Sequence, residues 1–547
     1  MQKLNRQIGT FSLMMTGVGS IIGSGWLFGA QKAAAVAGPA AILAWIIGMV
    51  MVLFIGLVYA ELGARFPQSG GMVRYAQYSH GSVTGFIAGW ANWIAIVSVI
   101  PIEAEASIQY MSSWPVAWAH TLFNATSQSL SGVGLSLAAI LVFVYFLINF
   151  WTVQLFARVN TLITILKFVI PGLTGIALLC SAFHGGNFTQ HGGFAPFGWS
   201  GVLTAVATSG IVFAFNGFTS PINLAGEVKR PNRSVPIAVV GSIVLAAIVY
   251  MVLQVAFIGS LTPHMLANGF QHLNFDSPFA NLAMAFELNW LAIILFADAF
   301  VSPSGTGITY TATTARMLFG ISENGWLAKS LSRIHPTWKI PRRAMWLNLA
   351  IAYLFLALFR GWGQLSTVIS IATLISYVTG PVSALSFRNI ADGMGSRVRI
   401  KGLRALAPIA FAMASLILYA GTWPSTGRVI FVMLIGLPVY LHFQYRNEGF
   451  RGFSRHIKSS VWLLAYLAFM ILVSYLGSTP FGGIDVLPYG VDLLIVALGS
   501  VAFFYWGVKS AWVTPYLERA QSGYEAEMRE DGHTDVMSLD EDHSATM

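Results

Sequence analysis

Thr16-Gly-Val-Gly-Ser-Ile-Ile-Gly-Ser-Gly-Trp26 is the stretch on which the reading of this chain turns. It sits in an apolar run near 11–37 that also holds Gly29, so one segment carries Gly17, Gly19, Gly23, Gly25 and Gly29. Each glycine costs a helix interior about 1 kcal/mol relative to alanine. Two physical readings are open. Small residues let neighbouring membrane helices pack closely. Alternatively the helix unwinds around Gly23-Ser24-Gly25, and its freed N–H groups and helix N-terminus hold an anionic group at mid-bilayer. A second interruption stands at Phe213-Ala-Phe-Asn-Gly-Phe218, followed by Thr219, Ser220 and Pro221. There an Asn-Gly turn signal breaks another apolar run. Interrupted segments in first and sixth place match an inverted repeat of five helices plus five.

The composition around these breaks is that of an integral membrane protein. Charged residues make up 9% of the 547, hydrophobic residues 56%, and the mean hydropathy is +0.69. Soluble domains carry about 25% charge, and so few charges cannot solvate a surface of this size. The apolar runs are long and lack period-two alternation, so the expected class is all-α rather than a barrel. A crossing needs about 20 apolar residues. That window places spans near 11–37, 39–62, 83–111, 135–156, 159–183, 200–223, 236–261, 286–314, 344–359, 364–387, 404–423, 427–445, 460–477 and 490–510, fourteen in all. Residues 1–10 are too short and polar for a cleaved signal peptide, which makes the first run a true span.

The net charge of +9 is a topology signal rather than a nucleic-acid signature. Nine of the 21 acids lie after Tyr516, in a polar tail expected to be disordered. With the N-terminus inside, the inner segments hold Lys3, Arg6, Arg65, Arg74, Arg158, the Lys229–Arg233 group, Arg316 to Arg343, Arg388 to Arg404 and the bases from Arg446 onward. The outer segments and span ends hold Lys32, Arg360 and Arg428. This parity predicts fourteen spans with both termini cytoplasmic. Asp392 to Lys401 reads as a short basic loop, and Gly320 to Pro341 as a loop with room for a surface helix. The single cysteine, Cys180, excludes an intrachain disulfide. There is no His-Glu-x-x-His, no Gly-x-Ser-x-Gly and no Walker loop. No enzymatic function, cofactor, metal or nucleic-acid partner is expected.

Ordered motifs then carry a resemblance. Gly19-Ser-Ile-Ile-Gly-Ser-Gly-Trp26 lies in the first helix, and Glu61-Leu-Gly-Ala-Arg-Phe-Pro67 with Ser69-Gly-Gly71 follows the second. Glu227-Val-Lys-Arg-Pro-Asn-Arg-Ser-Val-Pro236 comes after the sixth. Ala315-Arg-Met-Leu-Phe, Glu323-Asn-Gly325 and Ile340-Pro341 come after the eighth. Over residues 10 to about 445 the chain resembles the amino acid–polyamine–organocation superfamily of transporters, in its proton-coupled amino acid permease branch. The resemblance implies a LeuT-type fold with broken helices one and six. It divides the chain into a cytoplasmic segment 1–10, a ten-helix core 11–390, four further helices over 391–510 and an acidic tail 511–547. It also implies a substrate held between the two breaks. Ser20, Ile22, Gly23, Ser24 and Gly25 would offer amides to a carboxylate, and the carbonyls of Phe213 and Ala214, beside Asn216 and Gly217, would face an α-amino group. Phe215 looks like the occluding aromatic, although ordinary packing also accounts for Phe213, Phe215 and Phe218. Acid-resistance exchangers of this superfamily carry glutamate two residues after the helix-six glycine. Here that place is Thr219, which argues against such an exchanger.

Four charged residues fall well inside spans, away from their ends: Glu103, Glu105, Lys167 and Asp298. Each costs at least about 2.5–3.5 kcal/mol at bilayer depth, so each needs a partner, water or neutralisation. Burial destabilises an ammonium, which suits Lys167 to gaining and losing a proton. By resemblance it matches the helix-five lysine of proton-coupled members, close to helices one and eight. It is the expected coupling residue, with Ser302 and Ser304 on helix eight as neighbours. Asp298 could pair with Lys167, bind the substrate amine or titrate itself. Glu103 and Glu105 lie about 200° apart round a helix. At most one faces the pathway, and Glu103 is favoured. Glu61 and Glu227 are expected to pair with Arg65 and Arg230. The expected function is proton-coupled symport of an amino acid across a bacterial inner membrane, with amino acid or amine exchange as the alternative.

Overall fold

The computed structural model describes residues 8–67, 71–151, 153–181, 183–335, 340–391, 399–447, 449 and 453–522. The first apolar run forms two helices, α1 (Thr10–Ile21) and α2 (Gly25–Ala37), on either side of an extended Ile22. After a turn at Gly38, α3 (Ala41–Arg65) continues for 25 residues, about 37 Å at 1.5 Å per residue. A short α4 (Gly71–His80) leads to α5 (Ser82–Val97) and α6 (Val99–Met111), which form one continuous apolar run. A hairpin of β1 (Phe123–Asn124) and β2 (Ser129–Leu130) precedes α7 (Gly132–Trp151) and α8 (Val153–Ser181).

The sixth predicted segment is divided into α9 (Gly198–Thr208), α10 (Ile211–Phe215), a 3-10 turn at Asn216–Thr219, and α11 (Ser220–Asn223). Its 47° bend lies at Ser209-Gly210, ahead of the Asn-Gly pair that the sequence singles out. Gly210 is left-handed at φ +80°, and a Cβ there would meet the Trp362 ring at 2.5 Å. The sharp turn therefore goes to the glycine, and Asn216-Gly217 takes the milder 3-10 turn. Next come α12 (Pro231–Gly259), α13 (Pro278–Ala285), α14 (Asn289–Glu323) and α15 (Arg342–Leu358). They are followed by α16 (Trp362–Tyr377), α17 (Thr379–Ile390), α18 (Leu403–Tyr419), α19 (Ser425–Asn447), α20 (Phe453–Leu476) and α21 (Val491–Ser510).

Among the described residues, ten helical runs are long and apolar enough to cross a membrane, or eleven with the bent pair. Every one of the fourteen predicted segments contains helix. The two numbers differ because α1, α15 and α18 are short and α2 runs on into α3. Phe11, Ile140, Ile176, Ile293, Phe431 and Leu498 are each more than half exposed. An apolar surface of that kind, on runs of this length, belongs in lipid. Among the described residues one small hairpin accompanies the helices, and the chain is a multi-pass membrane protein of the all-helical class.

Three local expectations change. Glu61 pairs with Arg388 of α17, not Arg65: its two carboxylate oxygens accept from the guanidinium at 2.9 and 2.6 Å and from the Ile400 N–H at 2.7 Å. Arg65 donates instead to the carbonyls of Ala391 and Phe387. A helix-end acid can be claimed by a distant helix, and sequence spacing cannot show that. Glu227 meets the chain start through its backbone, its carbonyl accepting from the Ile8 N–H at 3.0 Å, and no ion pair joins it to Arg230. The tail begins later than expected. Residues 515–522 are helical, Leu517 is fully buried, and Thr514 donates to the Tyr78 carbonyl at 2.8 Å. Residues 523–547 of the predicted disordered tail lie outside the described residues, as do Lys3, Arg6 and most of the Asp392–Lys401 loop. Among the described residues between Gly320 and Pro341 the helical content is the end of α14 and a 3-10 turn at Lys329–Ser332.

Candidate functional site

The glycines of the string divide between close helix packing and the helix break. A Cβ on Gly17 would meet Ser242 of α12 at 2.8 Å, and one on Gly19 would meet Thr164 of α8 at 2.7 Å. These two positions let α1 pack closely. Gly23 and Gly25 flank the break, where added Cβ atoms would meet Glu103 at 2.6 Å and Ala214 at 2.9 Å. The break itself comes from Ile22, extended at ψ 93°, after which the Gly23 N–H turns back onto the Ile21 carbonyl at 3.1 Å.

Ser24 starts the second half-helix and is fully buried. Its N–H donates to Glu103 Oε2 at 2.9 Å, and its hydroxyl accepts from Trp362 Nε1 at 2.9 Å. Oε1 of Glu103 is buried without a hydrogen-bond partner. Beside it lies a small cavity lined by Ser20, Ile21, Gly23, Val99, Glu103, Phe213, Thr306 and Tyr310. Of the residues expected to contact substrate, Ser20, Gly23 and Phe213 reach this cavity.

Phe215 does not reach it. Phe215 is fully buried between Trp45 and Tyr250, whereas Phe213 packs against Trp362 at the cavity. Two residues apart on a helix, the rings point in nearly opposite directions, and the inward one is Phe213. The carbonyls expected to face an amine are engaged within the protein. The Phe213 carbonyl accepts from the Asn216 N–H. The Tyr250 hydroxyl stands 3.1 Å from both the Ala214 and Ile21 carbonyls, spanning the two breaks with one proton. Asn216 Oδ1 accepts from Tyr377 at 2.8 Å. A Cβ on Gly217 would lie 2.2 Å from the Ser20 carbonyl carbon, so the two backbones touch there.

Lys167, on α8, donates to the Gly19 carbonyl at 3.1 Å and to Thr306 Oγ1 at 2.5 Å. It interacts electrostatically with Glu103 and Asp298, although no ion pair forms among these described residues. Its helix-eight neighbour is Thr306, not Ser302 or Ser304. Ser302 has a buried hydroxyl without a partner, and Ser304 shares a hydrogen bond with Tyr145 at 3.0 Å. One turn beyond Ser302, Gly305 lets α14 come close to α8, since a Cβ there would meet Ile163 Cγ2 at 2.8 Å. The run Ser302-Pro-Ser-Gly-Thr-Gly307 was the signal that could have located Thr306. Tyr250 and Trp362 carried no such mark. Both carboxylate oxygens of Asp298, and both of Glu105, are buried without hydrogen-bond partners, and neither residue lines the cavity.

At the far end of α2, Lys32 donates to Gln128 Oε1 at 2.7 Å, tying α2 to the hairpin. Asp276, in the loop alongside, is pushed above the usual carboxylate range by burial, which a hydrogen bond from Ser112 and the charges of His120 and Lys32 oppose. No cluster of metal-ligating side chains occurs among the described residues.

The comparisons with known proteins point the same way. A glutamate/serine transporter, AimA, of Bacillus subtilis (strain 168) is 56% identical over 95% of this chain and 97% of its own. An aspartate-proton symporter of the same organism is 35% identical over 92% of this chain and 96% of its own. The branched-chain amino acid permease BcaP, also of that organism, is 24% identical over 82% and 95%. These relatives are transporters and permeases, not enzymes. The amino acid permease family model matches residues 8–474, so the chain, in keeping with its motifs, belongs to the amino acid permease family.

Proposed function

We propose that this protein is a proton-coupled amino acid symporter of the cell membrane. On this reading it crosses the bilayer fourteen times with both termini cytoplasmic, and its first ten spans form a LeuT-type inverted repeat. The substrate sits between the breaks at Ile22–Ser24 and Ser209–Thr219. Its class follows from the relatives named as a glutamate/serine transporter and an aspartate-proton symporter: a small or acidic amino acid. The observation that carries the reading is Lys167, whose ammonium holds the last turn of α1 to α14 through Gly19 and Thr306. Charge-assisted hydrogen bonds of this kind are roughly twice as strong as neutral ones. Loss of the proton weakens both, frees α8 from α1, and so couples proton release to movement of the half-helix that binds substrate.

Proteoliposomes test this directly. An inwardly directed proton gradient should drive uptake of L-serine or L-glutamate into vesicles that contain no amino acid. Lys167→Ala should abolish that uptake. Uptake that needs internal amino acid would establish exchange instead. Undiminished gradient-driven uptake by Lys167→Ala would remove the lysine from the mechanism.

A further inference from the structure

We propose that Glu103 is a tethered carboxylate that occupies the anion seat at the first helix break, and that a substrate carboxylate must displace it to bind. This inference rests on the reading of the break as the substrate site and adds the identity of its competitor.

A helix N-terminus presents N–H donors and positive potential to an anion. At the start of α2, a 13-residue helix, the anion present is the protein's own carboxylate, with Glu103 Oε2 accepting from the Ser24 N–H at 2.9 Å. The second oxygen, Oε1, has no hydrogen-bond partner although Glu103 is fully buried, and it points at Gly23 and the cavity. A carboxylate that completed its surroundings would have both oxygens satisfied. Half-satisfied, Glu103 mimics one oxygen of a ligand carboxylate while leaving the rest of the seat open. Gly23 makes the approach feasible, because a Cβ there would stand 2.6 Å from Oε1.

The titratable groups interacting with Glu103 are Lys167 on α8, Tyr145 on α7, Tyr250 on α12 and Tyr310 on α14. Asp298 shares Lys167 with it. Glu105 faces away on the same helix. Among the described residues Lys167 is thus the one cation shared by the seat, and it cannot serve two carboxylates as well as one. Once protonated, Glu103 is a neutral and weaker competitor for the Ser24 N–H. Substrate affinity therefore rises as pH falls, and a proton on Glu103 enters the binding equilibrium alongside that on Lys167.

Two measurements on the full-length protein in detergent test this. In the first, L-serine binding is compared between wild type and Glu103→Gln at pH 8 and pH 5, with ethanolamine as the probe that lacks a carboxylate. Glu103→Gln should bind L-serine about tenfold more tightly at pH 8, with the gap closing at pH 5 and ethanolamine showing no gain. In the second, thermal unfolding of Glu103→Ala is followed with sodium acetate, which replaces the deleted carboxylate, and with sodium chloride at equal ionic strength. Acetate should raise the midpoint of Glu103→Ala by several degrees through mass action and leave wild type unmoved. Equal or weaker L-serine binding by Glu103→Gln at pH 8, or an equal acetate response in both proteins, overturns the proposal. If neither protein binds L-serine or L-glutamate, or if Glu103→Gln does not fold, the acetate arm decides alone. Acetate rescue without amino acid binding would sink the transport reading and leave the anion seat standing.

Discussion

The two helix breaks differ in what fills them. At Ile22–Ser24 the freed backbone is met by distant polar side chains, Glu103 from α6 and Trp362 from α16. At Ser209–Thr219 the chain largely seals itself, through a left-handed Gly210 and a 3-10 turn, with aromatic rings packed on either side. The first break is held by groups able to move or change charge, and the second by backbone geometry. A half-helix held by a carboxylate and a lysine can respond to protons. On the proposed mechanism, one held by glycine contacts is the fixed wall against which the first moves.

Substitutions can break or sharpen that contrast, and the largest effect should come from Gly217→Ala. The new methyl would lie 2.2 Å from the Ser20 backbone, which has no rotamer to yield. Overpacking against side chains costs about 1–3 kcal/mol, and a backbone obstacle should exceed that range, so folded protein should be largely lost on size-exclusion chromatography. Gly23→Ala meets side chains rather than backbone: the end of the flexible Glu103 at 2.6 Å and, less closely, Thr306 at 3.1 Å. It should fold, with a midpoint lowered by a few degrees, and its L-serine affinity should change more than its stability. Equal losses for the two variants would erase the distinction between a fixed and a movable break.

Tyr250→Phe removes the one proton shared between the Ile21 and Ala214 carbonyls. A hydrogen bond contributes about 1 kcal/mol net, so thermal stability should fall modestly while substrate affinity drops at both pH values alike. A change confined to one pH would mean that Tyr250 acts through Glu103 rather than through the breaks.

The smallest effect lies away from both breaks. Burial pushes His80, at the end of α4, down to about 4, opposed by its hydrogen bond to the Gly507 carbonyl. The ordinary value for an unfolded histidine is about 6.5. The neutral ring therefore contributes stability that is complete above about pH 6.5 and lost as pH falls towards 4. His80→Asn should flatten this decline in the unfolding midpoint and leave the pH dependence of L-serine binding untouched.

How much could be read in advance varied with how local the cause was. The glycine string and the Asn-Gly pair located both interrupted segments, because helix-breaking is a property of a few adjacent residues. They misplaced the sharp bend of the second by several residues, since Gly210 was marked only by the Trp362 ring it faces. Lys167 and Glu103 stood out because a charge in an apolar run is visible without any structure. Their partners did not. Thr306 was passed over for Ser302 and Ser304 because half a turn (Ser304) or one full turn along the same face (Ser302) decides which hydroxyl meets an ammonium. Phe215 was chosen over Phe213 for the same reason.

The sequence by itself determined that this is a helical membrane protein with two interrupted segments and four charged residues well inside its spans. Composition, run length and glycine placement act through solvation and backbone propensity, and neither needs a partner to operate. The tertiary structure alone decided which groups meet: Glu103 on the Ser24 amide, Lys167 on Gly19 and Thr306, Tyr250 across both breaks, Arg388 on Glu61. Those pairings join residues tens to hundreds of positions apart, and only the packing of whole helices fixes their register.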